Sequence, residues 1–220
     1  NEIEYVALDI NNLPTTTGSG DLALLTSDNQ YAEDTPLNVT PFDITNASFV
    51  TSLNTQDISP SDVAWNNDGS QLYEVGQNSG EIHQYTLSTP FDVSSASLST
   101  TINAQDQFPT SIAWNDDGSR LYQTGVDTDS IYESTLSTPF DITSASLSTS
   151  INTQDLSPTG IAWNNDGSRL YEVGRSDDKI YESTLSTPFD ITSASFVTSI
   201  NTQDGSPRDI AWNDDGTKLY

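Results

Sequence analysis

The chain has 220 residues, six Lys and Arg against 32 Asp and Glu, a formal charge of −26 at pH 7 and no cysteine. A chain of this length buries about 70% of its unfolded surface without disulfides, while its negative field repels phosphate backbones and anionic lipid. Nucleic-acid binding and electrostatic membrane association are therefore excluded as expectations, and no run approaches the roughly 18 apolar residues of a spanning helix.

The acid is unusual in kind. Asp outnumbers Glu by 24 to 8, and lysine occurs only at Lys179 and Lys218. Acidity with so few lysines suits a salty, halophilic setting, where charge is screened and solubility needs a heavily anionic surface.

In chain order, residues 1–40 form an atypical N-terminal segment with two apolar runs, Ile3 to Ile10 and Leu22 to Leu25, joined by the Thr/Gly/Ser stretch 15–20. Nothing in it has the basic and apolar regions of a signal peptide. Asn38-Val-Thr40 and Asn46-Ala-Ser48 are glycosylation sequons, a short motif in a chain rich in these residues.

From Pro41 onward the sequence repeats. Trp65, Trp114, Trp163 and Trp212 are spaced by 49, and Pro41, Pro90, Pro139 and Pro188 keep the same interval, each followed by Phe-Asp. The copies 114–162 and 163–211 match at 37 of 49 positions without a gap. Within one copy, Ile161-Ala-Trp163 is a short apolar run, Asp166-Gly167 signals a hairpin, and Arg169 to Val173 follows, which predicts antiparallel strands A and B. Ile180 to Leu185 reads as strand C by its β-branched and aromatic content, Pro188-Phe-Asp190 breaks the chain, and Ser195 to Ile200 reads as strand D on a wet outer edge. Three complete four-stranded units begin near 60, 109 and 158, a partial unit covers 207–220, and Phe49 to Leu53 is an orphan strand D.

Four strands per unit, a 49-residue period and a hairpin between the first two strands predict an all-β fold, a β-propeller of four-stranded antiparallel blades. A β-solenoid-like array is the alternative, although its usual six- or nine-residue coils are absent. The segment Ile-Ala-Trp-Asn-Asn-Asp-Gly-Ser-Arg-Leu-Tyr at 161–171 resembles the blade signature of YVTN-type and NHL-like propellers. The stretch 180–195 is similar to tandem repeats of phage structural proteins and of large bacterial or archaeal surface proteins. The resemblance spans about 41–220 and implies an extracellular, cell-surface or virion setting more than a reaction.

The fragments at the two ends are complementary, which leaves three arrangements open. Strands from residues 1–53 complete the blade begun at 207–220 within one chain, giving a four-bladed disc, or between chains, giving a head-to-tail fibre. Alternatively, the chain is a piece of a protein of six to eight blades.

Catalytic tools are few. The only histidine, His83, stands where the next units have Tyr132 and Tyr181, and zinc lacks Cys and His ligands. A glycoside hydrolase needs two singular acids, yet these acids repeat: Asp68, Asp117, Asp166 and Asp215 in the hairpin turn; Asp43, Asp92, Asp141 and Asp190 after Pro-Phe; Asp57, Asp106, Asp155 and Asp204 after Gln. Turn formation and loop hydrogen bonding account for all three sets. No catalytic residue is therefore assigned and no cofactor is expected, with calcium at Asp127, Asp129, Asp177 and Asp178 the one candidate ligand set, short of a complete calcium loop. The tryptophans read as inter-blade core.

The copies differ mainly in the B–C loop and the D–A connection, which in an up-and-down blade emerge on the same face. This nominates a recognition face at Gln77, Asn78, Glu81, Asp127, Asp129, Arg175, Asp177, Asp178, Arg208 and Asp209. The functional expectation is a non-enzymatic extracellular structural or adhesive repeat protein that self-associates or binds another extracellular protein or glycan. A lectin-like propeller is the alternative, and a carboxylate hydrolase a distant one.

Overall fold

A computed structural model describes residues 48–213 and 215–220, and the blades lie in the unit Thr51–Tyr220. Asn38, Asn46, Asp43 and the apolar runs of 1–40 lie outside the described residues. From Thr51 onward the chain forms twelve strands: β1 (Pro60–Trp65), β2 (Gln71–Gly76), β3 (Glu81–Leu87), β4 (Ala96–Asn103), β5 (Pro109–Trp114), β6 (Arg120–Gly125), β7 (Ser130–Leu136), β8 (Ala145–Asn152), β9 (Pro158–Trp163), β10 (Arg169–Gly174), β11 (Lys179–Leu185) and β12 (Ala194–Asn201). They pair in three antiparallel sheets in chain order, β1-β2-β3-β4, β5-β6-β7-β8 and β9-β10-β11-β12. Consecutive antiparallel pairing within each repeat is incompatible with the parallel coils of a β-solenoid, so that alternative falls.

The first and third connections of each blade are locked together. In blade 1 the turn residue Gly69 has φ +70°, and the Phe91 ring lies where a Cβ would be, 2.4 Å away. Phe91 itself takes φ +60°, as do its counterparts Phe140 and Phe189 at +61°. A non-glycine residue there costs on the order of 1–2 kcal/mol. The strain is offset by the Phe91 N–H donating to the Gly69 carbonyl at 2.9 Å and by the ring resting on Trp65, centroids 5.4 Å apart. Asp92, Asp141 and Asp190 then cap short 3-10 turns, accepting from the backbone N–H two residues on.

Strand B carries apolar side chains on both faces, which in blade 2 are covered by a blade on either side. Tyr73, Val75 and Ile82 of blade 1 pack against Ile112, Leu121, Leu136 and Ile142 of blade 2. Tyr122 and Ile131 of blade 2 meet Ile161, Leu170, Leu185 and Ile191 of blade 3 in the same way. Trp114 sits in this interface, its ring 4.7 Å from Tyr73 of the preceding blade and 5.2 Å from Phe140 of its own. Burying such side chains contributes about 1.5–3 kcal/mol each, so inter-blade packing dominates the stability. Hydrogen bonds fix the angle between blades: Tyr73 donates to the Phe140 carbonyl and Tyr122 to the Phe189 carbonyl.

Outside the three sheets, Pro207 to Ile210 has no regular structure, and among the described residues of the last copy Trp212 and Leu219 form a bridge beside which Ala211 and Tyr220 exchange both backbone hydrogen bonds. Ile210 and Trp212 nevertheless pack on Tyr171 and Val173. The segment Phe49 to Leu53 is not a strand. Phe49 and Val50 are exposed, and Leu53 packs beside Trp65 and Ala96. A strand needs a hydrogen-bonded neighbour, and among the described residues no strand C lies beside it.

Candidate functional site

The second connection of each blade, B–C, is held by the connection that leads into the same blade. Asp57, Asp106 and Asp155 are at most 2% exposed. Asp155 accepts from Ser157 N at 2.7 Å, Ser176 N at 3.1 Å and Asp177 N at 2.9 Å. Asp57 likewise accepts from Ser59, Asn78 and Ser79, and although burial alone raises its pKa, these bonds hold it below the usual carboxylate value. Each carboxylate lies on a strand-B glycine: a Cβ at Gly174 would stand 2.3 Å from the Asp155 carboxyl carbon. The contact admits no side chain.

Beneath these aspartates lies a second acceptor. Glu172 takes the N–H groups of Gln154 and Asp155 at 3.0 and 2.8 Å, and Glu74 does the same for Gln56 and Asp57. Blade 2 has Gln123 at this position, whose Oε1 accepts from Gln105 N at 3.0 Å. The position needs an acceptor, and an amide supplies it without charge. Burial pushes Glu172 up to about 7, with Asp155 adding repulsion and the two N–H donors opposing the rise.

The B–C loops turn through a left-handed residue at Gly80, Asp129 and Asp178, with φ +67°, +51° and +53°. Asp is one of the few side chains that tolerates this region. The carbonyls of Asp129 and Asp178 then accept from Thr153 and Thr202. Asp177 accepts from the Tyr181 hydroxyl at 2.7 Å, and Asp127 points its N–H at Asp106. His83, at the position of Tyr181, is buried and bonded through Nδ1 to Thr101 at 2.9 Å. Among the described residues no three acidic or histidine side chains are grouped to hold a metal ion. The four aspartates nominated for calcium are two turn formers, one hydroxyl acceptor and one exposed side chain. Of the remaining nominated residues, Asn78 is exposed with its N–H directed at Asp57, and Glu81 lies 3.9 Å from His83 Nε2.

Three of the nominated residues meet. Gln77, Arg175 and Arg208 line one cavity of about 270 Å³ with Ser59, Pro60, Ser61, Thr110 and Thr159. Ser61, Thr110, Thr159 and Arg208 are the same repeat position in four successive copies, so the cavity lies where the inner strands of the blades converge. Three of them form a ladder: Ser61, Thr110 and Thr159 each donate to the proline carbonyl one blade on, at 2.9 Å. Arg208 breaks the ladder and places a guanidinium there instead. One residue further along, Asp62 accepts from Ser111 Oγ and Ile112 N, both at 2.9 Å. Burial, and then repulsion from Asp209, push Asp62 up to about 6. Asp209 lies over Gly160, and desolvation of its carboxyl raises it too. Sequence reasoning nominated Arg208 and Arg175 as loop residues without their convergence; the Ser/Thr/Thr/Arg series at 49-residue spacing was the available signal.

With this geometry in hand, solved structures supply the comparison. A candidate 6-phosphogluconolactonase from Bacteroides fragilis superposes with a TM-score of 0.55 at 16% identity, over 73% of this chain and 46% of that one. Hydrazine synthase of Kuenenia stuttgartiensis gives 0.53 at 21% identity, over 78% and 44%. The β-propeller domain of Cps50 (Swd1) from Myceliophteria thermophila gives 0.50 at 11% identity, over 73% and 48%. The fold is a β-propeller. The chain spans about half the length of these structures, and at such identities the likeness carries the fold alone. No family model and no curated protein matches the sequence. No helix among the described residues is long and apolar enough to cross a membrane.

Proposed function

We propose that this chain is part of a non-enzymatic extracellular repeat protein, structural or adhesive, built of YVTN/NHL-like blades of the kind found in phage structural proteins and microbial surface proteins. It acts by presenting the B–C/D–A face to a protein or glycan partner. One observation carries this reading: the repeated carboxylates are spent on backbone and side-chain hydrogen bonds of the scaffold, whereas residues that differ between copies gather at the inner end of one face. The repeated, scaffold-bound acids do not make the singular acid and base that hydrolysis requires, and of the inner-strand pair outside those sets Asp62 accepts from Ser111 and Ile112 while Asp209 accepts from the Ile210 N–H. The fold neighbours named as lactonases lend no activity at 16% identity.

The test pairs binding with turnover. Arrays of glycans and envelope proteins are expected to give saturable binding, while 6-phosphogluconolactone and aryl glycosides show no turnover above buffer. Turnover abolished by a single Asp substitution would contradict the proposal.

A second reading, head-to-tail association of copies, is favoured by the far face of blade 3. Val173, Ile180, Ile200, Leu219 and Tyr220 line an apolar cavity of about 570 Å³, and Ile200 is 57% exposed, whereas its counterparts Ile102 and Ile151 pack against the following blade. The residues clustered with those counterparts are Leu136 with Ile142, then Leu185 with Ile191, so the fitting occupant is strand C and the 3-10 turn after it of this repeat type, here from a second copy. Light scattering across concentration reads the outcome: growing polymers support association, and a constant 23.8 kDa species excludes it.

A further inference from the structure

The cavity at the inner strands is chemically out of place in this protein. Of the four arginines, among the described residues Arg120 meets Glu133 at 2.9 Å and Arg169 meets Glu182. Arg175 and Arg208 have no such carboxylate partner among the described residues, and both line the same cavity. The Arg175 Nε atom is moreover buried with no hydrogen-bond acceptor. Leaving a buried donor unpaired costs about 1–3 kcal/mol, but this Nε is too enclosed to meet a ligand, so the donors left for an acceptor are the terminal nitrogens of the two guanidinium groups.

The rest of the lining narrows the acceptor. The hydroxyl protons of Ser61, Thr110 and Thr159 are committed to proline carbonyls, which leaves oxygen lone pairs on the wall. Gln77 adds an amide with both donor and acceptor capacity. Two guanidinium groups recognise an oxyanion, and acceptor oxygens around them recognise hydroxyl groups. A volume of about 270 Å³ falls just below the range of drug-sized small-molecule sites, which limits the occupant to one sugar-sized unit. Two acids stand one residue beyond the lining positions: Asp62, which accepts from Ser111 and Ile112, and Asp209, which accepts from the Ile210 N–H and lies over Gly160.

We propose that the axial cavity binds an acidic sugar unit, its carboxylate or phosphate held between Arg175 and Arg208 and its hydroxyls received by Gln77 and the Ser61, Thr110 and Thr159 oxygens. This rests on the recognition-face reading and names the ligand class that face takes. Arg175 lies in the variable B–C loop and Arg208 replaces the serine or threonine of the other copies, so the site belongs to this combination of repeats and to no single one.

The experiment is calorimetric titration of the full chain with galacturonate, glucose 6-phosphate and glucose at 0.15 M NaCl. The two acidic probes separate a carboxylate source from a phosphate source, and glucose measures the hydroxyl contribution alone. At least one acidic probe is expected to bind tenfold or more tighter than glucose, and to lose at least tenfold in R175Q and in R208Q with the unfolding midpoint unchanged. The R175K variant is expected to keep only part of the affinity, because an ammonium cannot make the bidentate contact. Equal affinity for glucose and both acids, no binding of any probe at 10 mM, or acid binding unaffected by R175Q and R208Q each overturns the site. In all three cases array binding that depends on the variable loops would leave the recognition face standing, so the two failures are distinguishable.

Discussion

Glu172 offers the sharpest quantitative handle on the scaffold. It is 5% exposed, and burial lifts it from 4.5 to about 7. Below about pH 4.5 folded and unfolded forms are both protonated. Between about 4.5 and 7 the folded state retains a proton that the unfolded chain has released, so stability falls as pH rises through that window and levels off above it. A shift of roughly 2.5 pH units corresponds to about 3 kcal/mol lost by pH 8. Glu172→Gln removes this cost, while one of the two N–H donors loses its acceptor, at about 1 kcal/mol. The substitution is therefore expected to stabilise the chain by about 2 kcal/mol at pH 8 and to destabilise it by about 1 kcal/mol at pH 4.5. Gln123 already fills the equivalent position in blade 2 and accepts from Gln105 at 3.0 Å, so the backbone accommodates the amide. Urea unfolding of both proteins across this pH range reads the difference. Equal destabilisation at both pH values would show that the carboxylate charge itself is required, and would refute the acceptor-only account.

Other perturbations act on the same framework. Replacing Asp155, fully buried and accepting three backbone N–H groups, by Ala is expected to cost about 2–4 kcal/mol in urea unfolding; a loss under 0.5 kcal/mol would mean that the B–C loop stands without it. Asp209→Asn removes the repulsion felt by Asp62, so carbon-detected NMR titration is expected to show the Asp62 pKa moving down from about 6; an unchanged value would place Asp209 outside its field. With a formal charge of −26, self-repulsion opposes folding, so the melting temperature is expected to rise between 20 mM and 1 M NaCl, and a flat or falling profile in differential scanning fluorimetry would remove the salt-adaptation reading.

Much of the fold was legible because its signals are local and recur. The Asp-Gly hairpins, the tryptophans every 49 residues and the apolar faces of Leu170 and Tyr171 each point to one blade geometry. The Pro-Phe-Asp connection was legible only as a break: nothing in the sequence marks Phe91 as left-handed, since that conformation is imposed by the ring docking on Gly69. Phe49 to Leu53 reads as strand D by composition, but a strand depends on a neighbour that local sequence cannot supply. The site was half legible. Variation between copies marked the loops that carry Arg175 and Arg208, whereas their meeting depends on the inclination between blades, which Tyr73, Trp114 and the proline-carbonyl ladder set across more than 40 residues. Asp129 and Asp178, nominated for calcium from their residue type, also serve as left-handed turn residues, a role that their sequence context does not mark.

The claim that repeated residues build the scaffold while variable ones recognise a partner is tested most directly by exchanging loops between blades. Residues 175–179 and 208–209 are replaced by their counterparts 126–130 and 159–160, and binding to the glycan and envelope-protein array is measured beside the urea midpoint. The account predicts that binding is lost while the midpoint stays within about 0.5 kcal/mol of the parent, as for surface substitutions. Binding retained at the parent's affinity would contradict it.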